Sequence, residues 1–135
     1  MLCANHRPIL NDVTHAELQL LLYKVSQISS TIANAISTGK LTCFSSGQAS
    51  PYLDLARLNK NLIDAMLDQR VDVIILEGMG PAVHTNLYAK FSYECLKVAV
   101  LKNRRLAQRF GGEMFAVIFK NENASMSTLL HQQKI

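Results

Sequence analysis

Two hydrophobic periods divide this chain. From Leu18 the apolar residues Leu21, Leu22, Val25, Ile28, Ile32 and Ile36 recur at helical spacing, which is the stripe of an amphipathic helix. Thr14 with Glu17 forms a capping-box signature, so this helix is predicted to start near His15. Gly39 ends the pattern. Helical spacing resumes from about Ala56 to Gln69. Short apolar runs separate these stretches: Leu2 to Ala4, Leu41 to Phe44, Val71 to Leu76, Cys95 to Leu101 and Met114 to Phe119. Their length and β-branched content predict buried strands. Asn103 is placed to cap a short helix that stops at Gly111-Gly112. Strands alternating with helices predict an α/β fold with a mostly parallel sheet. Val71 to Leu76 is expected at its centre. The segment from Asn121 onward is polar and is expected to form a frayed tail.

The segment after that central strand carries the candidate chemistry. Val71 to Leu76 ends in Glu77, Gly78 and Gly80 follow, and His84, Thr85 and Asn86 close a polar cluster. Polar groups just past the carboxyl end of a strand sit where α/β sheets build their sites. The glycines allow positive φ and close backbone approach to a ligand. Neither complete phosphate-loop pattern is present, so an ordinary strand-to-loop turn is an equal reading on spacing alone. Asp12 precedes the first predicted helix, and a turn or cap role suits an Asn-Asp pair there. His6 and His15 flank it in no recognisable ligand pattern and read as surface residues. Lys97 interrupts an apolar run, which demands solvent or a counter-charge. It is read either as a lysine on a polar strand face or as a partner for phosphate.

Composition narrows the class. The 135 residues are 49% hydrophobic and 18% charged, which suits one globular domain. No apolar run approaches a membrane span, and no signal-peptide pattern opens the chain. The net charge of +4 is modest. Lys97, Lys102, Arg104 and Arg105 cluster without interleaved aromatics, which disfavours nucleic acid and leaves a solvated helix end or a phosphate contact. Cys3, Cys43 and Cys95 have no metal-ligand spacing and read as small buried residues in a reducing, cytoplasmic compartment. Asn123-Ala124-Ser125 matches a glycosylation sequon that such a compartment would leave unused.

EGMGPAVHTN, from Glu77 to Asn86, resembles the EGMGR motif of the metal-dependent damage-control phosphatases. The likeness extends from about Cys3 to Lys120. It takes in CANHRPILNDVTHAE, SGQASPYLDLARL, and CLKVAVLKNRRLAQRFGG followed by FAVIFK, in the family's order. Within the family the chain resembles the carboxy-terminal 4′-phosphopantetheine phosphatase domain fused to the fourth animal pantothenate kinase. The resemblance implies a three-layer α/β sandwich, incomplete at its N-terminal side, over residues 1–120, followed by the tail 121–135. It implies a site in which Glu77, Gly78, Gly80 and Asn86 are catalytic, Lys97 and Lys102 bind substrate, and Asp12 of the NDVT motif ligates a divalent metal such as manganese, nickel or magnesium. The implied substrate is a small phosphorylated metabolite, with no nucleic acid and no membrane involved. Asp12, Glu77 and Asn86 are expected to converge at one sheet edge.

Two departures qualify this expectation. The family's Asp-Asn metal pair belongs to an earlier segment, so the chain resembles the carboxy-terminal half of the domain and part of a longer polypeptide, with weak or absent metal binding. Pro81 stands where the motif has arginine. It offers neither a two-pronged phosphate contact nor a backbone N–H. The lost charge-assisted hydrogen bond is worth about 1.5–3 kcal/mol, or roughly one to two decades in transition-state binding. A catalytically inactive remnant that serves as a structural or interaction module is therefore the alternative reading.

Overall fold

A computed structural model describes residues 1–10 and 12–124. The chain is α/β and divides into two compact units, Met1–Gln69 and Arg70–Ile135. Among the described residues the strands form two sheets, of two and three strands, where one sheet was expected. Most of the expected tail, and Ser125 of the sequon, fall outside the described residues.

The first unit is a βαβ arrangement. Strand β1 (Leu2–Ala4) pairs in parallel with β2 (Cys43–Ser45), and Cys3 lies opposite Phe44. Between them run α1 (His15–Ser26) and α2 (Ser30–Ser37). The predicted capping box is present: Thr14 Oγ1 accepts from Glu17 N at 3.2 Å, and Glu17 Oε2 accepts from Thr14 N at 2.8 Å. The one long helix expected to Gly39 is broken after Ser26. Ser29 is extended and caps a second helix by accepting from Ile32 N. Serine competes for backbone bonds in this way, and the apolar spacing concealed the break. Gly39 has φ +72°, as its stop role requires. After β2 come a 3₁₀ turn, Leu55–Arg57, and α3 (Lys60–Asp68), capped by Asn59.

The second unit holds β3 (Val73–Glu77), β4 (Glu94–Val100) and β5 (Val117–Glu122). Strands β3 and β4 are parallel, and β4 and β5 antiparallel. The expectation of β3 at the centre is corrected, because β4 lies between β3 and β5. Strand β5 also runs past Phe119 to Glu122, so Asn121 and Glu122 are sheet residues rather than tail. Helix α4 (Arg104–Arg109) starts where Asn103 Oδ1 accepts from Leu106 N. Gly111 ends it at φ +71°.

Alternation along these strands separates two faces. Cys95, Lys97 and Ala99 of β4 are buried, and Leu76 of β3 lies opposite Lys97. The other face carries Val73, Ile75, Val100, Val117 and Phe119, all exposed. A sheet with parallel pairs is normally covered on both faces, so this face is unusually bare. Cys95 is buried and Cys43 part-buried, but Cys3 is exposed, against expectation. Among the described residues no helix is long and apolar enough to cross a membrane.

Candidate active site

In the first unit the candidate residues belong to loops at the carboxyl ends of β1 and β2. The loop after β1 is closed at its neck, where Asn5 bridges to Thr14 and its carbonyl accepts from His15 N at 2.8 Å. Farther out, Asp12 N donates to Ile9 O at 3.0 Å, and the Asp12 residue is exposed. His6 is exposed too. His15 is only part-exposed, and its Nε2 is shielded with no hydrogen-bond partner among the described residues. The surface reading therefore holds for His6 and is corrected for His15.

The loop after β2 is built against the first. His6 N donates to Gln48 O at 2.7 Å, and Asn5 Nδ2 reaches Ser50 O at 3.4 Å. Ser46 is buried and bridges β1 to α3, donating to Ala4 O and accepting from Asn59 N. The Gln48 side chain holds both the N–H and the carbonyl of Asp54. Gly47 has φ +78°, and a Cβ there would stand 3.1 Å from Asn59 Cβ, so a larger residue would be both strained and crowded. Sequence reasoning gave this loop no role. The available signal was a serine- and glycine-rich run directly after a strand.

In the second unit the site is a wide turn. Glu77 is the last residue of β3 and is exposed. Gly78 follows at φ +104°, ψ +155°, a conformation essentially confined to glycine. Its N–H donates to Val98 O at 2.9 Å, continuing the ladder, while its carbonyl accepts from Ala82 N. The chain then winds through a π-helical turn, Met79–Thr85. Such turns are rare and recur at functional sites. Gly80 lies inside it without a positive φ. Asn86 closes the turn from a buried position, donating from Nδ2 to Pro81 O at 2.8 Å and to Thr85 Oγ1 at 2.9 Å. Thr85 Oγ1 donates to Gly80 O at 3.0 Å.

Lys102 joins this end of the sheet from the segment just after β4. Its backbone N–H reaches Met79 Sδ at 3.1 Å, and the residue is exposed. Glu77, Gly78, Gly80, Asn86 and Lys102 thus share the carboxyl end of the parallel β3–β4 pair. Lys97 is placed differently. It is wholly buried, and its Nζ donates to Leu87 O at 3.1 Å, to Ala89 O at 2.7 Å, and to Glu122 Oε2. An ammonium has three N–H donors, and all three are engaged. Of the two needs read from sequence, solvent or a counter-charge, Lys97 has met the second. Glu122, which sequence reasoning left in a tail, also accepts from Lys120 at 2.9 Å and Lys90 at 3.0 Å. Bonds from Lys97 first, then Lys120 and Lys90, pull its carboxyl down to about 2.

The described residues do not by themselves offer a full set of donors for a divalent metal. Asp12 offers one carboxylate, and among the described residues no three His, Cys, Asp or Glu side chains come together to hold an ion. The second-unit turn can do something else. Backbone amides after a positive-φ glycine, beside a lysine, suit an oxyanion, and Glu77 can accept from a hydroxyl or water.

Comparison with known proteins identifies the family. Residues 1–118 match the model of the damage-control phosphatase ARMT1-like domain. A damage-control phosphatase of Arabidopsis thaliana is 35% identical over 89% of this chain and 32% of its own length. A 4′-phosphopantetheine phosphatase of Mus musculus is 30% identical over 90% of this chain and 21% of its own. A pantothenate kinase 2 of Oryza sativa is 33% identical over 90% of this chain and 16% of its own. The chain spans about a third or less of the length of these relatives.

Proposed function

The chain belongs to the damage-control phosphatase ARMT1-like domain family, and from that premise we propose that it forms the phosphate-facing part of a phosphatase acting on 4′-phosphopantetheine or a related small phosphate monoester. One observation carries the reading: Gly78, in a glycine-only conformation, opens a π-helical turn directly after Glu77, and Lys102 abuts that turn at Met79. In this reading the Lys102 ammonium binds the phosphoryl group. The turn amides stabilise charge that develops on its oxygens, and Glu77 positions a water or substrate hydroxyl. Asn86 fixes the shape of the turn through Pro81 and Thr85. In this reading the protein works in the cytoplasm, a compartment in which free cysteines such as Cys95 persist.

A second reading has its own support. Asp12 lacks companion ligands among the described residues, and Pro81 stands where the motif has arginine. Both favour a remnant that retains phosphate affinity without turnover.

Calorimetry with inorganic phosphate and 4′-phosphopantetheine, paired with a manganese-supplemented hydrolysis assay, tests both. Binding weakened roughly tenfold or more by Lys102→Ala supports the phosphate-facing assignment. Binding without hydrolysis is the expected result for these 135 residues, robust hydrolysis overturns the remnant reading, and no binding of either compound overturns the proposal.

A further inference from the structure

Lys97 is the largest fully buried side chain among the described residues, and it is a cation. Burying an ammonium is costly unless every proton has an acceptor and the charge has a partner. Here both conditions are met by one device. Cross-strand partners Lys97 and Lys120 face the same side of the sheet, and both donate to the Leu87 carbonyl, at 3.1 and 2.8 Å. Lys97 also takes the Ala89 carbonyl, and both lysines bond to Glu122. The Phe91 and Tyr88 rings lie 5.5 and 5.1 Å from the two ammonium groups.

Leu87 and Ala89 lie just beyond the turn. Leu87 follows Asn86, whose side chain holds Pro81 and Thr85, and Ala89 N donates back to Asn86 O at 3.1 Å. The bonds therefore run without a break from Glu122 of β5 through Lys97 to the segment that carries Asn86.

We propose that Lys97 is a positioning residue rather than a phosphate ligand: with Lys120, and with Glu122 as their counter-charge, it clamps the Leu87 and Ala89 carbonyls and so holds the Met79–Asn86 turn in place on the sheet. Its meaning for catalysis rests on the phosphatase reading, but the clamp itself does not. The design has a physical logic. A lysine in a dry environment bonded to backbone carbonyls fixes main chain without depending on the identity of the side chains it crosses. The carboxylate is shared among three lysines, so removing Lys97 leaves Glu122 two partners.

Amide hydrogen exchange on the 135-residue chain tests the clamp. In Lys97→Met, the N–H groups of Ala82 and Ala89 should exchange roughly tenfold faster or more. Those of Gly78 and the β4–β5 ladder should keep their rates. Lys97→Arg, which retains charge and donors, should recover part of the protection. If the variant cannot be purified folded, Glu122→Gln provides the same comparison with the lysines intact. Equal acceleration throughout the unit, or unchanged exchange in the turn, would overturn the clamp. Calorimetry with inorganic phosphate separates the two readings. Affinity abolished in Lys97→Met with exchange unchanged makes Lys97 a direct ligand. A wild-type chain that fails to bind phosphate removes the phosphatase reading, while the exchange result still decides the clamp.

Discussion

The Asn86 amide donates to the Pro81 carbonyl at 2.8 Å and thereby ties the exit of the π-helical turn back to its interior. The same amide nitrogen reaches Thr85 Oγ1 at 2.9 Å, so one buried side chain governs the turn's closure. Asn86→Ala deletes these bonds and should cost about 1–3 kcal/mol. For a unit of this size that lowers the melting temperature by roughly 4–8 °C per kcal/mol. Asn86→Asp should cost at least as much, since an ionised carboxylate has no N–H to offer a carbonyl. Thermal denaturation followed by circular dichroism checks both. Melting temperatures indistinguishable from wild type would show that the turn does not depend on Asn86.

Gly78 and Gly80 look equivalent in sequence and are not. Gly78 has φ +104°, and a Cβ there would meet only Pro81 Cδ at 3.5 Å, an ordinary contact. The penalty for Gly78→Ala is therefore backbone strain, about 1–3 kcal/mol. Gly80 has no positive φ, so Gly80→Ala should cost clearly less. Urea unfolding of the two variants gives the comparison directly. Equal losses would mean that contact rather than conformation sets the cost.

This pair shows what the sequence could and could not convey. Glycines after an apolar run announced an unusual turn, but φ at each depends on how the turn winds, which spacing does not encode. Local signals were read well: the Thr14–Glu17 box, the Asn103 cap and the stop at Gly111 each depend on neighbours within a few residues. The break at Ser29 was missed because apolar spacing continues across it while a side chain captures the backbone. Pairing was least legible. Nothing local tells β3 that it forms an edge, or β5 that it turns antiparallel. Glu122 was invisible for the same reason. Its role exists only because register places Lys120 opposite Lys97 and brings Glu122 in one pleat away.

The Glu122 carboxyl also predicts a pH dependence. Hydrogen bonds from Lys97, then Lys120 and Lys90, hold it near 2, below its ordinary 4.5. A lowered folded value means the unfolded chain takes up the proton first. The stabilisation is therefore fully present above about pH 4.5 and is lost as pH falls through about 2. Glu17 is lowered as well, chiefly by its bond from the Thr14 backbone, so the acid limb contains more than one group. Comparison with Glu122→Gln isolates one of them. The stability gap between wild type and this variant should be wide near pH 6 and narrower near about pH 2.5. Denaturant titrations at the two values measure it. A gap of the same size at both would mean that the lysines do not act through the ionised carboxylate.

Pro81 gives the sharpest test of function. It occupies the turn at the position where the motif has arginine, and its carbonyl is already committed to Asn86. Pro81→Arg leaves that carbonyl in place, restores a backbone N–H and adds a guanidinium beside the amides after Gly78. A bidentate, charge-assisted contact of about 1.5–3 kcal/mol should tighten binding of inorganic phosphate by roughly ten- to a hundredfold. Turnover should not follow. The only carboxylate assigned to a metal is Asp12, which is exposed and has no companion ligands among the described residues, and a single carboxylate does not hold magnesium or manganese tightly. Calorimetry with phosphate and a manganese-supplemented assay on 4-nitrophenyl phosphate separate the two effects. Tighter phosphate binding with hydrolysis still at background is the expected outcome. Robust metal-dependent hydrolysis from the 135-residue chain, with or without the substitution, would show that its own residues complete the metal site and would overturn the remnant reading.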